Sequence, residues 1–171
     1  MKSLGPFPAG VILHSYLGSA EMVPEFVKLG AYFSFSGFLM SMKPQKAKKM
    51  LKAVPADRIL LETDAPDALP KSDLGSLFPV QGDGSIPLEF QSQATSELAK
   101  EMLNHPANIH IVLNYVASLL EISKEELARI SYSNTICLFS YEGSKVLHEE
   151  SCGRCTNAEE NEQQLGPRSS C

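Results

Sequence analysis

Short apolar runs that stop at a polar, chemically capable side chain set the rhythm of the first part of the chain. Val11-Ile12-Leu13 stops at His14, and Ile59-Leu60-Leu61 stops at Glu62-Thr63-Asp64, just before Pro66. Such runs are too short for helices and lack polar alternation, so they predict strands covered on both faces, the kind that parallel sheets contain. Between them, Ala31 to Gly37 alternates with period two, which puts Tyr32, Ser34 and Ser36 on one face and Phe33 and Phe35 on the other. Helical spacing fills the gaps. Ser19 stands where it would cap a helix with an apolar face of Met22, Val23, Phe26 and Val27, stopped by Gly30. Ala47, Met50, Leu51 and Val54 repeat at helical spacing until Pro55.

After Asp64 the pattern changes. Ala65 to Leu88 is punctuated by Pro, Gly, Ser and Asp and predicts a long loop, and Glu89 to Leu103 carries only a thin stripe of Ala94, Leu98 and Met102 for a partial helix. Beyond Pro106, the positions Ile109, Val112, Leu113, Val116, Leu119 and Leu120 predict an amphipathic helix. Ser123 to Glu126 is a capping box for a short helix with Leu127 and Ile130 inward, and a separate last turn from Asn134 to Phe139 would dock Ile136, Cys137 and Phe139. From Gly143 the chain is polar, so residues 1–142 form the expected domain and residues 143–171 a disordered tail. Within that tail Cys152 and Cys155 have metal-knuckle spacing, but the acidic surroundings and the shortage of further ligands argue against a zinc site.

Strands alternating with helices at these short intervals predict consecutive right-handed βαβ units and a parallel sheet. Parallel strands present their C-terminal ends on one edge, so His14 and Asp64 should face a common cavity with Ser36 between them, their strands about 9–10 Å apart. Imidazole and carboxylate suit Zn²⁺, Mn²⁺ or Fe²⁺, and such an ion polarises a phosphoryl oxygen and acidifies a bound water. Two ligands make an incomplete set. An ordinary hydrogen-bonded histidine and an ordinary turn aspartate are the alternatives at these positions. Glu62, two residues before Asp64 on the same side of the strand, should point inward, either supporting the site or as a structural acid with hydrogen-bond donors.

Composition narrows this picture only slightly. With 171 residues, 43% of them hydrophobic, the chain suits one soluble domain, and a formal charge of −5 gives no global attraction to nucleic acid or anionic membranes. Lys46, Lys48, Lys49 and Lys52 read as a solvated helix face, with a phosphate-binding patch as the alternative. The opening residues are a poor signal peptide, no apolar run is long enough to span a membrane, and the four cysteines form no evenly spaced disulfide framework. These features predict a reducing compartment, the cytoplasm with the nucleus as the alternative, and no membrane or obligate protein partner.

At these same residues the sequence resembles the TatD family of metal-dependent deoxyribonucleases. ILHSYLGS resembles the family's histidine followed by a glycine-containing turn, AYFSFSG the next strand, and LLETDAP the most recognisable family signature. Asn104-His105-Pro106, the helix after it, and Ser133-Asn134-Thr135 with Leu138-Phe139 resemble the family's C-terminal helices. The resemblance, from about Gly10 to Tyr141, implies an α/β fold of the (β/α)₈ barrel type, here the last three βα units with the closing helices. It implies divalent metal ions (Mg²⁺, Mn²⁺ or Zn²⁺) as cofactor, DNA as substrate, His14 and Asp64 as metal ligands, and Asp64 as the catalytic acid-base group. The family's opening His-x-His strand, and the glutamate and further histidine of its intermediate strands, have no counterpart here, so this chain resembles a truncated member. Two other functions stay open at this level: a catalytically inactive interaction fragment, and a metal-dependent hydrolase of another ester or amide.

Overall fold

The computed structural model describes residues 5–71, 77, 103–141 and 144. The expected partial helix before Leu103 and the expected tail after Gly143, with its Cys152/Cys155 pair, lie outside the described residues, apart from Ser144. Three short strands, β1 (Val11–Leu13), β2 (Ala31–Phe35) and β3 (Ile59–Leu61), form one sheet in the order β1-β2-β3. Both pairings are parallel, with Leu13 opposite Phe33, Phe33 opposite Ile59, and Phe35 opposite Leu61. The helices are α1 (Val23–Val27), α2 (Pro44–Ala53), α3 (Ile109–Leu120) and α4 (Lys124–Phe139).

The core lies between the sheet and these helices. Phe33 and Phe35 on β2, Val23 on α1, Ala47, Met50 and Leu51 on α2, and Leu127 on α4 are fully enclosed, with Val112 and Val116 of α3 beside them. The period-two expectation for β2 held for direction, but both faces are covered: Tyr32, Ser34 and Ser36 are as buried as the phenylalanines. Tyr32 is further roofed by the Arg58 guanidinium, 4.7 Å above its ring. Pro44 starts α2 at a position where its missing N–H costs nothing.

Three local expectations need correction. Ser19 makes no side-chain cap, and a single tight turn, Ala20–Met22, leads into α1, whose Pro24 already fixes its first turn. Ser36 closes β2 and opens a turn of 3₁₀ helix, Gly37–Ser41, that the apolar pattern did not announce. The last two predicted helical pieces are one helix. Ser131 and Asn134 interrupt the apolar stripe of α4, yet both face inward, where Leu61 N donates to Ser131 Oγ at 3.2 Å and Asn134 Nδ2 donates to the carbonyls of Ala56 and Ile59 at 2.8 Å each. The polar stripe is the strip by which α4 docks on β3. Ser123 does cap this helix, accepting from Glu126 N at 3.1 Å. Cys137 of α4 is disulfide-bonded, a pairing that the uneven spacing of the four cysteines does not announce.

Two features of this packing are open to direct test. A Cβ on Gly37 would run into the carbonyl oxygen of Ala68 and come within 3.0 Å of Pro70 N, because the chain after β3 crosses directly over the end of β2. Gly37→Ala is therefore expected to destabilise the fold by about 1–3 kcal/mol in denaturant titrations, the usual cost of forcing atoms into packed space; a change within experimental error would show that the crossing is loose. The lysines of α2 are mostly engaged: Lys48 and Lys52 both hold Glu121 at 2.7 Å, and Lys49 holds Glu21. Hydrogen bonds from Lys48 and then Lys52 lower the Glu121 carboxyl from 4.5 to about 2. A depressed folded-state value means that the contribution is present above about pH 4.5 and disappears as pH falls toward 2. The melting-temperature gap between the protein and Glu121→Gln should thus close across that window, and shrink in about 1 M salt because these groups are solvent-exposed.

Candidate metal-binding active site

The parallel register brings the ends of the three strands to one level. His14 follows β1 directly, Ser36 follows β2, and Glu62 continues β3 with its backbone N–H on Phe35 O at 3.0 Å. After His14 the chain turns sharply through Ser15, whose φ of 44° is left-handed, and Tyr16 N then donates to Ser34 O at 2.9 Å. Tyr16 anchors this turn: its ring meets Phe33 and Phe26 edge-on at 5.1 and 6.2 Å, and its hydroxyl donates to Ser19 O. Burial, and then the Glu21 charge, raise the Tyr16 phenol above its ordinary pKa, so it stays a neutral donor. At the end of β3, Asp64 also adopts a left-handed backbone, φ 55°. Aspartate tolerates this region better than most residues.

These turns converge three ionisable side chains. His14 Nε2 lies 3.3 Å from Glu62 Oε2 and 3.5 Å from Asp64 Oδ1. The imidazole is 62% exposed, whereas the Glu62 and Asp64 side chains are 18% and 26% exposed. His14 and Asp64 therefore share one face, as expected, and Glu62 points inward beside them.

Glu62 has the partners its partial burial requires. Ser15 N donates to Glu62 Oε1 at 2.8 Å and Ser15 Oγ donates to the same oxygen at 2.7 Å, leaving Oε2 toward His14. Ser15 has one hydroxyl hydrogen, so the 2.7 Å contact with Ser36 Oγ is one that Ser36 donates, and the 3.5 Å approach to Asp64 Oδ2 is a weak one. Ser34 Oγ takes the longer branch of the Ser15 N–H, at 3.2 Å. The serines on the covered face of β2 thus complete a chain from Ser36 through Ser15 to Glu62. Sequence reasoning missed Ser15; its signal was a hydroxyl placed immediately after a strand-ending histidine and opposite the Ser34/Ser36 face.

The donor chemistry at this edge fits a divalent ion, with one imidazole nitrogen and one carboxylate oxygen converging and Glu62 held beside them. It is an incomplete set. Among the described residues no group of three or more His, Cys, Asp or Glu side chains is arranged to hold a metal by itself. A cavity of about 880 Å³ lies at the opposite end of the sheet, lined by residues such as Gly10, Tyr32, Arg58 and Arg129, and His14, Glu62 and Asp64 are not part of its lining. Converging ligand chemistry, rather than volume, makes the strand ends the candidate site.

The chain is 30% identical over 139 residues to the metal-dependent hydrolase YabD of Bacillus subtilis, covering 81% of this chain and 44% of that protein. It is 31% identical over 145 residues to the deoxyribonuclease Tat-D of Schizosaccharomyces pombe, again covering 81% and 44%. Among solved structures, the TatD homologue YjjV of Escherichia coli K12 superposes with a TM-score of 0.56 at 23% identity, covering 80% of this chain and 42% of that one. The chain therefore spans less than half the length of these relatives. Among the described residues no helix is long and apolar enough to cross a membrane. The family model of TatD-related DNases matches residues 1–140, and the chain belongs to that family.

Proposed function

We propose that this chain carries part of the active site of a metal-dependent hydrolase that cleaves DNA phosphodiester bonds, with its three βα units forming part of a (β/α)₈ barrel. The observation that carries this reading is the convergence of His14 Nε2 and Asp64 Oδ1, 3.5 Å apart, at the C-terminal ends of parallel strands. That edge is where barrel enzymes assemble their chemistry. A relative over much of this chain is named a deoxyribonuclease, which supports DNA as the substrate class. His14 and Asp64 would hold a divalent ion, Mg²⁺, Mn²⁺ or Zn²⁺, whose contribution is to polarise the phosphoryl oxygen and acidify the attacking water.

The remaining work falls to the chain's own groups. Asp64, whose Oδ2 has only the long Ser15 contact among the described residues, accepts the proton that the water gives up. Glu62, fixed by two hydrogen bonds from Ser15, places Oε2 beside the same ring nitrogen of His14 and adds negative charge that favours a cation at this edge. A second reading, a chain without catalysis of its own, is favoured by the incomplete ligand set among the described residues. Several relatives are named only as metal-dependent hydrolases, so ester and amide substrates belong in the same assay.

The test is hydrolysis of single- and double-stranded DNA and of small esters and amides by the purified chain, with Mg²⁺, Mn²⁺ or Zn²⁺ and with chelator. Metal-dependent DNA cleavage is expected, slow because the ligand set is partial. Asp64→Asn should lower it by about 100-fold or more, the scale of a lost acid-base group, and His14→Ala by at least about tenfold. Cleavage that persists in chelator or is indifferent to Asp64→Asn would overturn the reading. A folded chain with no metal-dependent turnover on any substrate would establish the non-catalytic alternative for this chain alone.

A further inference from the structure

We propose that Asn104 is the positioning residue for Asp64: it clamps the 63–68 turn and so aims the carboxylate at His14 without touching ion or substrate. The inference rests on reading Asp64 as a metal ligand. The turn that carries Asp64 contains two non-glycine residues with left-handed backbones, Asp64 at φ 55° and Ala68 at φ 54°. A side chain beyond glycine disfavours that region, so the conformation persists only where surrounding structure holds it.

Asn104 provides that hold from a distant part of the sequence. It is 2% exposed, and its carboxamide Nδ2 donates to Thr63 O at 2.8 Å and to Ala68 O at 3.3 Å, one on each side of the turn. Its backbone N–H donates to Pro66 O at 2.8 Å, in the middle of the same turn. The carboxamide cannot flip. Asn108, fully buried one helical turn later, donates from Nδ2 to Asn104 Oδ1 at 3.0 Å, which commits that oxygen as acceptor and leaves both amide hydrogens for the turn. Three hydrogen bonds from one residue thus fix the carbonyls at both ends and the centre of the segment, and Asp64 has its backbone set between them.

The fold supplies its own control. Asn134 makes the same kind of clamp at the other end of β3, where Nδ2 donates to Ala56 O and Ile59 O at 2.8 Å each, and it is also buried. Loss of Asn134 removes comparable hydrogen bonds from the same strand, but at the edge away from His14 and Asp64. A purely structural role for Asn104 predicts that the two asparagines behave alike.

The experiment measures Mn²⁺ dissociation constants for the full chain by electron paramagnetic resonance, comparing the unmodified protein with Asp64→Asn, Asn104→Leu, Asn104→Ala and Asn134→Ala. Thermal melts establish that each variant is folded at the assay temperature, and backbone chemical shifts of Asp64 report its conformation without metal. Asn104→Leu keeps about the volume of the side chain and adds no charge while removing both donors, so it carries the comparison if Asn104→Ala folds poorly. The expected result is a 10- to 100-fold loss of Mn²⁺ affinity in both Asn104 variants, the range for residues that orient a ligand. With it, the Asp64 shifts should leave left-handed values in metal-free Asn104→Leu, while Asn134→Ala stays within twofold and leaves Asp64 unmoved. If Asp64→Asn weakens binding but the Asn104 variants bind as the unmodified protein does, the clamp is refuted and the ligand reading stands. Equal losses in Asn134→Ala would assign the effect to general stability and overturn the proposal. If Asp64→Asn changes nothing, or the unmodified chain takes up no Mn²⁺, the ligand reading falls and the proposal with it.

Discussion

One oxygen of Glu62 receives both the N–H and the O–H of Ser15, and the geometry of the strand ends depends on that pair of bonds. β1 and β3 are not neighbours in the sheet; β2 lies between them. Without Ser15 their ends would be related only by the longer contacts of the exposed His14 ring and by the ladders of strands three to five residues long. A carboxylate largely shielded from water demands donors, and hydrogen bonds to a charged acceptor are stronger than those between neutral groups. The left-handed backbone of Ser15 is what lets both of its donors reach the same oxygen. Conformational cost at one residue is exchanged for registration between two strands that never touch through their backbones.

The same economy recurs around β3. Its three residues cannot be held by sheet hydrogen bonds alone, and polar side chains on helices secure its flanks: Ser131 to the amide of Leu61, and Asn134 to the carbonyls before and at its start. Polar residues on the inner face of α4 would ordinarily weaken a core helix. Here each meets a backbone group in or next to β3, so the apolar surface they give up is offset by hydrogen bonds completed elsewhere.

How much of this was legible beforehand depended on whether a residue belongs to a pattern. The apolar runs ending at His14 and Asp64 are patterned, and both strands, their parallel order and the shared edge followed from them. The alternation of β2 and the periodic stripe of α2 were equally readable, as was the Ser123 cap. What escaped was carried by single polar residues whose meaning lies in distant partners: Ser15, whose donors serve Glu62; Ser131 and Asn134, which looked like a break in α4; and Gly37, whose missing side chain makes room for Ala68. Ser19 erred in the other direction, a good local cap signal overridden by Pro24, which already sets the first turn of α1. Periodicity reveals which face a residue takes. It carries no information about which backbone group, dozens of residues away, that face will meet.

The bond between Asn104 N–H and Pro66 O closes a loop, for the chain leaves the turn after β3 at this point and returns to it. The length of sequence strung between the two sides is thereby decoupled from the arrangement of His14, Glu62 and Asp64. Ring-closure entropy grows only with the logarithm of length, so doubling such a segment costs about 0.6 kcal/mol. Insertions and deletions can accumulate there while the strand ends keep their geometry. In a lineage of such chains, the surroundings of the site would be free to diversify long before its chemistry could.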